Sequence, residues 1–130
     1  MSVTSITGIT EIVAVTGPST EVVISNSNVA SIPAPESVDL SWTGYFANNG
    51  ATMTVRDSTF ENTEGFRHLV YSEGASTTTV ERVDFLKVNS GLQSSDRPAS
   101  VMQVSSDSTL NLKDSLVQEV DGVTVSAQRV

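Results

Sequence analysis

His68 is the chain's one histidine, set in the run Gly65-Phe66-Arg67-His68-Leu69. An imidazole can exchange a proton or hold a metal near neutral pH. Here no second ligand type stands in register with it and no nucleophile is spaced to use it, so it reads as a structural histidine. The chain has no cysteine, which removes thiol catalysis and thiolate metal sites. Gly-x-Ser-x-Gly, phosphate-cradling glycine loops and His-Glu-x-x-His do not occur in the sequence. Trp42 and Tyr45 follow a proline-containing insertion, and their rings could stack on a sugar. Trp42, Tyr45, Arg67 and His68 are therefore the candidate carbohydrate-binding residues. The competing reading lays the two rings over the open side of the core. No catalytic residue, metal ligand or cofactor is expected.

Carboxylates are the other group able to do chemistry, since glycoside cleavage needs two of them across a cleft. Asp57, Asp84 and Asp114 fall near one face of the repeat described below. Arg82 shares a column with Asp57 and Asp114, so the set reads as ion-pair structure. The pairs Thr52/Thr54 and Thr77/Thr79, followed by Thr109 and Asn111, would make a flat hydroxyl array able to order water. Ice binding is accordingly a third, minor reading; Glu21 and Val23 interrupt the array in the first repeat.

The elements that must position these residues come from an internal repeat. Thr20 to Val29, Ala51 to Phe60, Ser76 to Phe85 and Ser108 to Val117 align without gaps. The column Ile24, Val55, Val80, Leu112 is apolar throughout, as is Val29, Phe60, Phe85, Val117; the column Val22, Met53, Thr78, Leu110 is nearly so. Alternate residues therefore face a core, the signature of a half-buried strand. From Ile24 to Val55, Val55 to Val80 and Val80 to Leu112 the steps are 31, 25 and 32 residues. Upstream, Val15, Phe46 and Tyr71 are expected in one column. No stretch shows a sustained helical period, which leaves two strands and turns in each repeat.

Outward positions check the register. One column reads Ser25, Arg56, Glu81, Lys113, the next Asn26, Asp57, Arg82, Asp114, and a third Ser31, Asn62, Lys87, Glu119. Opposite charges face each other at each charged step. Cross-strand pairs of that kind stabilise by roughly 0.2–1 kcal/mol, and like pairs destabilise. Columns of this sort require parallel strands stacked one repeat above another.

The run Thr52-Met53-Thr54-Val55-Arg56-Asp57-Ser58-Thr59-Phe60-Glu61-Asn62, echoed from Thr77 to Phe85 and from Thr109 to Val117, resembles the repeats of the pectin-lyase-like superfamily of right-handed parallel β-helices. The resemblance covers about residues 13 to 126. It implies an all-β, right-handed parallel β-helix of about four coils with 25–32 residues per coil. Hydrolases of that superfamily carry Asn-Thr-Asp, Asp-Asp, Gly-His-Gly and Arg-Ile-Lys motifs. None is present, and Asn62-Thr63-Glu64 is the nearest. The resemblance thus speaks to fold, and a carbohydrate-binding or carbohydrate-active β-helix is the alternative function it leaves.

The 130 residues fit one solenoid domain: residues 1–12 as a partial coil or cap, 13–122 as repeated coils, and 123–130 as the start of a further rung. Two insertions, Ile32 to Asp39 and Gly91 to Pro98, should leave the same side. A net charge of −8 disfavours nucleic acid and anionic membranes as partners. No signal peptide and no Asn-x-Ser/Thr acceptor is visible. These features together lead to the expectation of a non-catalytic structural or surface-display module, extracellular or at the cell surface. Unpaired solenoid ends add the expectation of end-to-end association with its own kind.

Overall fold

Runs in which Val, Ile, Phe and Thr alternate with polar residues become strands, because that pattern gives a pleated ribbon one face to bury. In a computed structural model, which describes residues 2–3, 11–34, 42–90, 99–120 and 123–128, there are twelve of them and no helix among the described residues. They are β1 (Ser2–Val3), β2 (Glu11–Thr16), β3 (Glu21–Ser25), β4 (Asn28–Ile32), β5 (Trp42–Asn48) and β6 (Thr52–Glu64). Then follow β7 (Phe66–Ser72), β8 (Thr77–Asn89), β9 (Ser100–Ser105), β10 (Thr109–Lys113), β11 (Leu116–Gln118) and β12 (Val123–Gln128). The insertion residues 35–39 and 91–98, and residues 4–10 of the expected cap, lie outside the described residues.

Two parallel sheets result. The seven-stranded sheet has the order β1-β4-β6-β8-β10, with β3 also paired to β6 and β11 to β8. The five-stranded sheet has the order β12-β9-β7-β5-β2. The chain visits the two sheets in turn, and each visit adds the next strand in line. Register follows the repeat: Ile24 pairs with Val55, Val55 with Val80, and Val80 with Leu112. Val29, Phe60, Phe85 and Val117 form the second column. The side chains of Ile24, Val29, Val55, Phe60, Val80 and Phe85, with those of Tyr45, Val70 and Met102 from the other sheet, make one core cluster; Val117 packs half-buried against it, and Leu112 is exposed. The Phe60 and Phe85 rings lie stacked at 5.4 Å and 2°, the contact that stacking a parallel column produces. In the five-stranded sheet a Cβ on Gly44 of β5 would strike the Leu69 carbonyl of β7.

The polar columns mark the corners. Asn26, Asp57, Arg82 and Asp114 all have φ between 47° and 52°, and Ser31, Asn62, Lys87 and Glu119 lie between 51° and 59°. Left-handed single residues turn a strand sharply without ending its pairing, and Asn and Asp tolerate that region best. Four of the eight residues in these columns are Asn or Asp, the types that suit this backbone shape. The first of these bends exposes backbone N–H groups, and serines of the next repeat accept them: Ser27 N donates to Ser58 Oγ at 3.2 Å and Val83 N to Ser115 Oγ at 3.1 Å, while at the separate turn after Ala75 Ser76 N donates to Ser108 Oγ at 3.0 Å.

One expected alignment is corrected. Val15 pairs with Ala47 rather than Phe46; Phe46 pairs with Ala14 on one side and Tyr71 on the other. The first corner, residues 17–20, carries one residue more than the corner at 49–51, because Gly17 at φ 109° opens a wider turn closed by Thr20 N to Gly17 O at 3.1 Å. Register in one sheet therefore shifts by one residue relative to the other. This seats Val15, Ala47 and Ser72 together in the interior.

Two substitutions test this packing by chemical denaturation. Ser58→Ala removes the acceptor of Ser27 N–H and of the Ser27 hydroxyl, so stability should fall by about 1–3 kcal/mol. Thr78 is fully buried between Met53 and Leu110 with its hydroxyl unpaired, so Thr78→Val should raise stability by about 1 kcal/mol.

Candidate functional site

The four residues singled out from the sequence separate in the structure. Trp42 is 2% exposed, donates its indole N–H to the Glu64 carbonyl at 3.0 Å and meets Phe66 edge-on at 6.0 Å. Tyr45 is fully buried, shares a 2.9 Å hydrogen bond with Ser27 Oγ and lies 5.2 Å from the Phe60 ring. Burial pushes its phenol above the ordinary tyrosine range, with the Ser27 hydrogen bond acting the other way. Neither ring offers a face to a ligand. The expected platform of Trp42 and Tyr45 is corrected to core packing, the competing reading of those rings. Hydrophobic area close to a buried hydrogen-bond acceptor explains the choice, since each ring carries a polar tip that the frame satisfies.

Arg67 and His68 do come together, on the five-stranded sheet. Trp42 pairs with Phe66 but Thr43 with His68, so Arg67 is the extra residue of a bulge. A bulge re-aims the side chains around it: Arg67 is exposed, whereas His68 is buried. The His68 and Tyr71 rings meet edge to face at 4.8 Å although they stand three residues apart, which a strictly alternating strand would forbid. His68 Nδ1 is 3.0 Å from Ser100 Oγ, and that hydroxyl donates to the Met102 carbonyl at 3.0 Å. A hydroxyl has one proton to give, so the imidazole donates from Nδ1 and keeps Nε2 as the acceptor. Burial and the neighbouring Arg67 charge lower the His68 pKa from 6.5 to about 4.

Around this pair lies a cleft of about 290 Å³ lined by Glu11, Thr43, Phe46, Arg67, Tyr71 and Glu73. Phe46 and Tyr71 are register partners on β5 and β7, with rings 5.0 Å apart at 74°. Tyr71 donates to Glu73 Oε2 at 2.6 Å and touches Ser105 Oγ at 3.4 Å. Burial, followed by that carboxylate, raises its pKa. The cleft therefore combines half-buried aromatic rings, a guanidinium and two carboxylates. Phe46, Tyr71 and Glu73 were not among the sequence candidates. A signal for them is in the sequence, because Phe46 and Tyr71 fall in one aromatic column of the repeat.

The other sequence features sit on the seven-stranded sheet. Thr52, Thr77 and Thr109 pair in one column, and Thr54, Thr79 and Asn111 in another. The charged column Arg56, Glu81, Lys113 runs beside them. Arg82 grips Asp57 with two bonds, Nε to Oδ1 at 2.6 Å and Nη2 to Oδ2 at 3.2 Å, and reaches Glu81 at 3.0 Å. The guanidinium holds the Asp57 carboxyl below its usual range. An exposed pair like this stabilises little; it does occupy the carboxylate most obviously available for chemistry. Among the described residues no group of three or more His, Asp or Glu side chains is arranged to hold a metal. Comparison with family models, with curated proteins and with solved structures gives no match.

The His68 environment fixes a pH response. The folded protein keeps the ring neutral down to about pH 4, whereas an unfolded chain protonates near 6.5. Between those values the unfolded state binds more protons, so stability is full above about 6.5 and declines as pH falls towards 4, by up to about 3 kcal/mol. Denaturation midpoints measured across that range should show the decline, and His68→Gln should remove this part of the slope.

Proposed function

We propose that the two sheets are faces of one right-handed parallel β-solenoid of about four coils, and that this solenoid is a non-catalytic structural or surface-display module of an extracellular fibre or appendage. Three features support the solenoid reading. The chain alternates between sheets, both sheets grow in the same direction, and both contribute to one core. Parallel crossovers are nearly always right-handed. The pectin-lyase-like resemblance of the Thr52 to Asn62 run leads to the same architecture.

The observation that carries the functional reading is where the polar tips of the large or titratable side chains go. Trp42, Tyr45 and His68 each give their polar atom to the frame itself, to Glu64 O, Ser27 Oγ and Ser100 Oγ respectively. Side chains that lock windings together serve rigidity, the property a display module needs.

A second reading, carbohydrate binding, is favoured by the cleft, where the Phe46 and Tyr71 rings adjoin Arg67 and the carboxylates Glu11 and Glu73. A glycan array and a polysaccharide-cleavage screen separate the two. The module reading expects no binding or cleavage that depends on this cleft. Glycan binding or cleavage that is lost in Arg67→Ala or Tyr71→Phe, with the melting temperature of Arg67→Ala unchanged, would replace it with the carbohydrate reading.

A further inference from the structure

We infer that the fold carries an acid-sensitive rung: protonation of His68 releases it from Ser100 and frays the β7–β9 ladder from its first pair, while the β6–β8 ladder stays closed. The inference goes beyond the module reading and does not depend on it. It adds a local response to acid to an otherwise rigid frame.

His68 and Ser100 are the first register partners of β7 and β9, followed by Val70 with Met102, Tyr71 with Gln103 and Ser72 with Val104. The imidazole residue is 4% exposed and Ser100 1%, and Nδ1 lies 3.0 Å from Ser100 Oγ. A neutral ring suits that place; a second proton puts a buried positive charge there. Arg67, next in the chain, adds a positive charge of its own. Among the described residues, the groups facing the ring are neutral. Tyr71 meets it edge-on at 4.8 Å from its own strand, Thr43 is its partner on β5 and Ser100 its partner on β9. The nearest carboxylates are placed elsewhere: Glu11 pairs with Thr43 one strand further out, and Glu73 accepts the Tyr71 hydroxyl at 2.6 Å. Burial first, then the Arg67 charge, brings the imidazole to about 4, with the Ser100 contact acting the other way. The imidazolium is relieved by water, and a rung at the end of a ladder is the one that opens at least cost.

The other side-chain ties do not respond to acid in this way. Tyr45 to Ser27 and Trp42 to the Glu64 carbonyl involve groups that stay neutral in acid. The serine bonds Ser27 to Ser58, Ser76 to Ser108 and Val83 to Ser115 carry no charge. The Asp57–Arg82 pair on the seven-stranded sheet is exposed at both ends, so losing it costs little. Acid therefore loads one junction, between β7 and β9.

Hydrogen exchange read by mass spectrometry on the 130-residue chain tests this, with rates referred to unprotected peptides at the same pH. Segments 66–72 and 100–105 should open about twentyfold more at pH 5 than at pH 7, the ratio that a pKa lowered from 6.5 to about 4 gives. At pH 5, in urea below the unfolding transition, their exchange should stay flat, because a local opening exposes little surface. Segment 52–64 should exchange more slowly, with a rate that climbs steeply with urea. His68→Gln should abolish the pH response of segments 66–72 and 100–105. Arg67→Gln, an exposed change that leaves folding intact, should shrink it, and Glu73→Gln should keep it. Exchange of the β7 and β9 segments that climbs with urea in step with segment 52–64, or a pH response that survives in His68→Gln, would overturn the inference. Either result leaves the module reading standing, since that reading falls to the glycan and cleavage screens.

Discussion

The parallel backbone ladder, held in one register from repeat to repeat, is the constraint from which the rest follows. In the seven-stranded sheet β6, β8 and β10 pair in one register with their equivalents one repeat away, across steps as different as 25 and 32 residues. A parallel ladder stacks like on like. An apolar position therefore becomes an apolar column, and a bent position becomes a column of bends. Slipping by one residue would turn Val55, Phe60 and their equivalents out to water, so the interior columns and the ladder specify each other. Columns such as Val55 on Val80 and Phe60 on Phe85 put like on like in the interior.

Corners carry the second constraint. A strand such as β6 keeps its pairing while turning at Asp57 and Asn62, and it does so with left-handed residues rather than glycine. Asn and Asp fit that conformation; Arg82, Lys87 and Glu119 fit it less well and occupy it because the column demands it. The Asp57–Arg82 pair is best understood this way. Two residues held in the same unusual backbone state, one above the other, find their charged groups within reach, and the ion pair is a consequence of the bend. The serines beside the corners complete the arrangement by accepting the N–H groups that the turn takes out of the ladder. Val83 interrupts that serine column, and its own N–H is taken by Ser115.

Much of this was legible from the repeat. The three columns around Ile24, Val22 and Val29 predicted the parallel register of the seven-stranded sheet, because a period of two residues inside a longer repeat leaves few arrangements that bury one face. What escaped lies where sequence similarity is weak. The five-stranded sheet shares no such motif between repeats, so its one-residue shift at Gly17 and its bulge at Arg67 depend on corner geometry that residue types do not encode directly. For Trp42 and Tyr45 the sequence leaves a choice between stacking on a sugar and covering the core, and burial against Phe66, Phe60 and Ser27, all distant in sequence, makes that choice. The aromatic column of Phe46 and Tyr71 was readable, but the column alone does not reveal that Arg67 and Glu73 gather round it.

Structure and proposed role meet in the idea that successive windings lie directly above one another with their strands parallel. Nuclear Overhauser spectroscopy on isotope-labelled protein tests that claim at its centre. The account predicts parallel-strand contacts between amide and α protons linking Ile24 to Val55, Val55 to Val80 and Val80 to Leu112, with no close α-proton pairs between those strands. Strong contacts between α protons across the same strands, the mark of antiparallel neighbours, would contradict it.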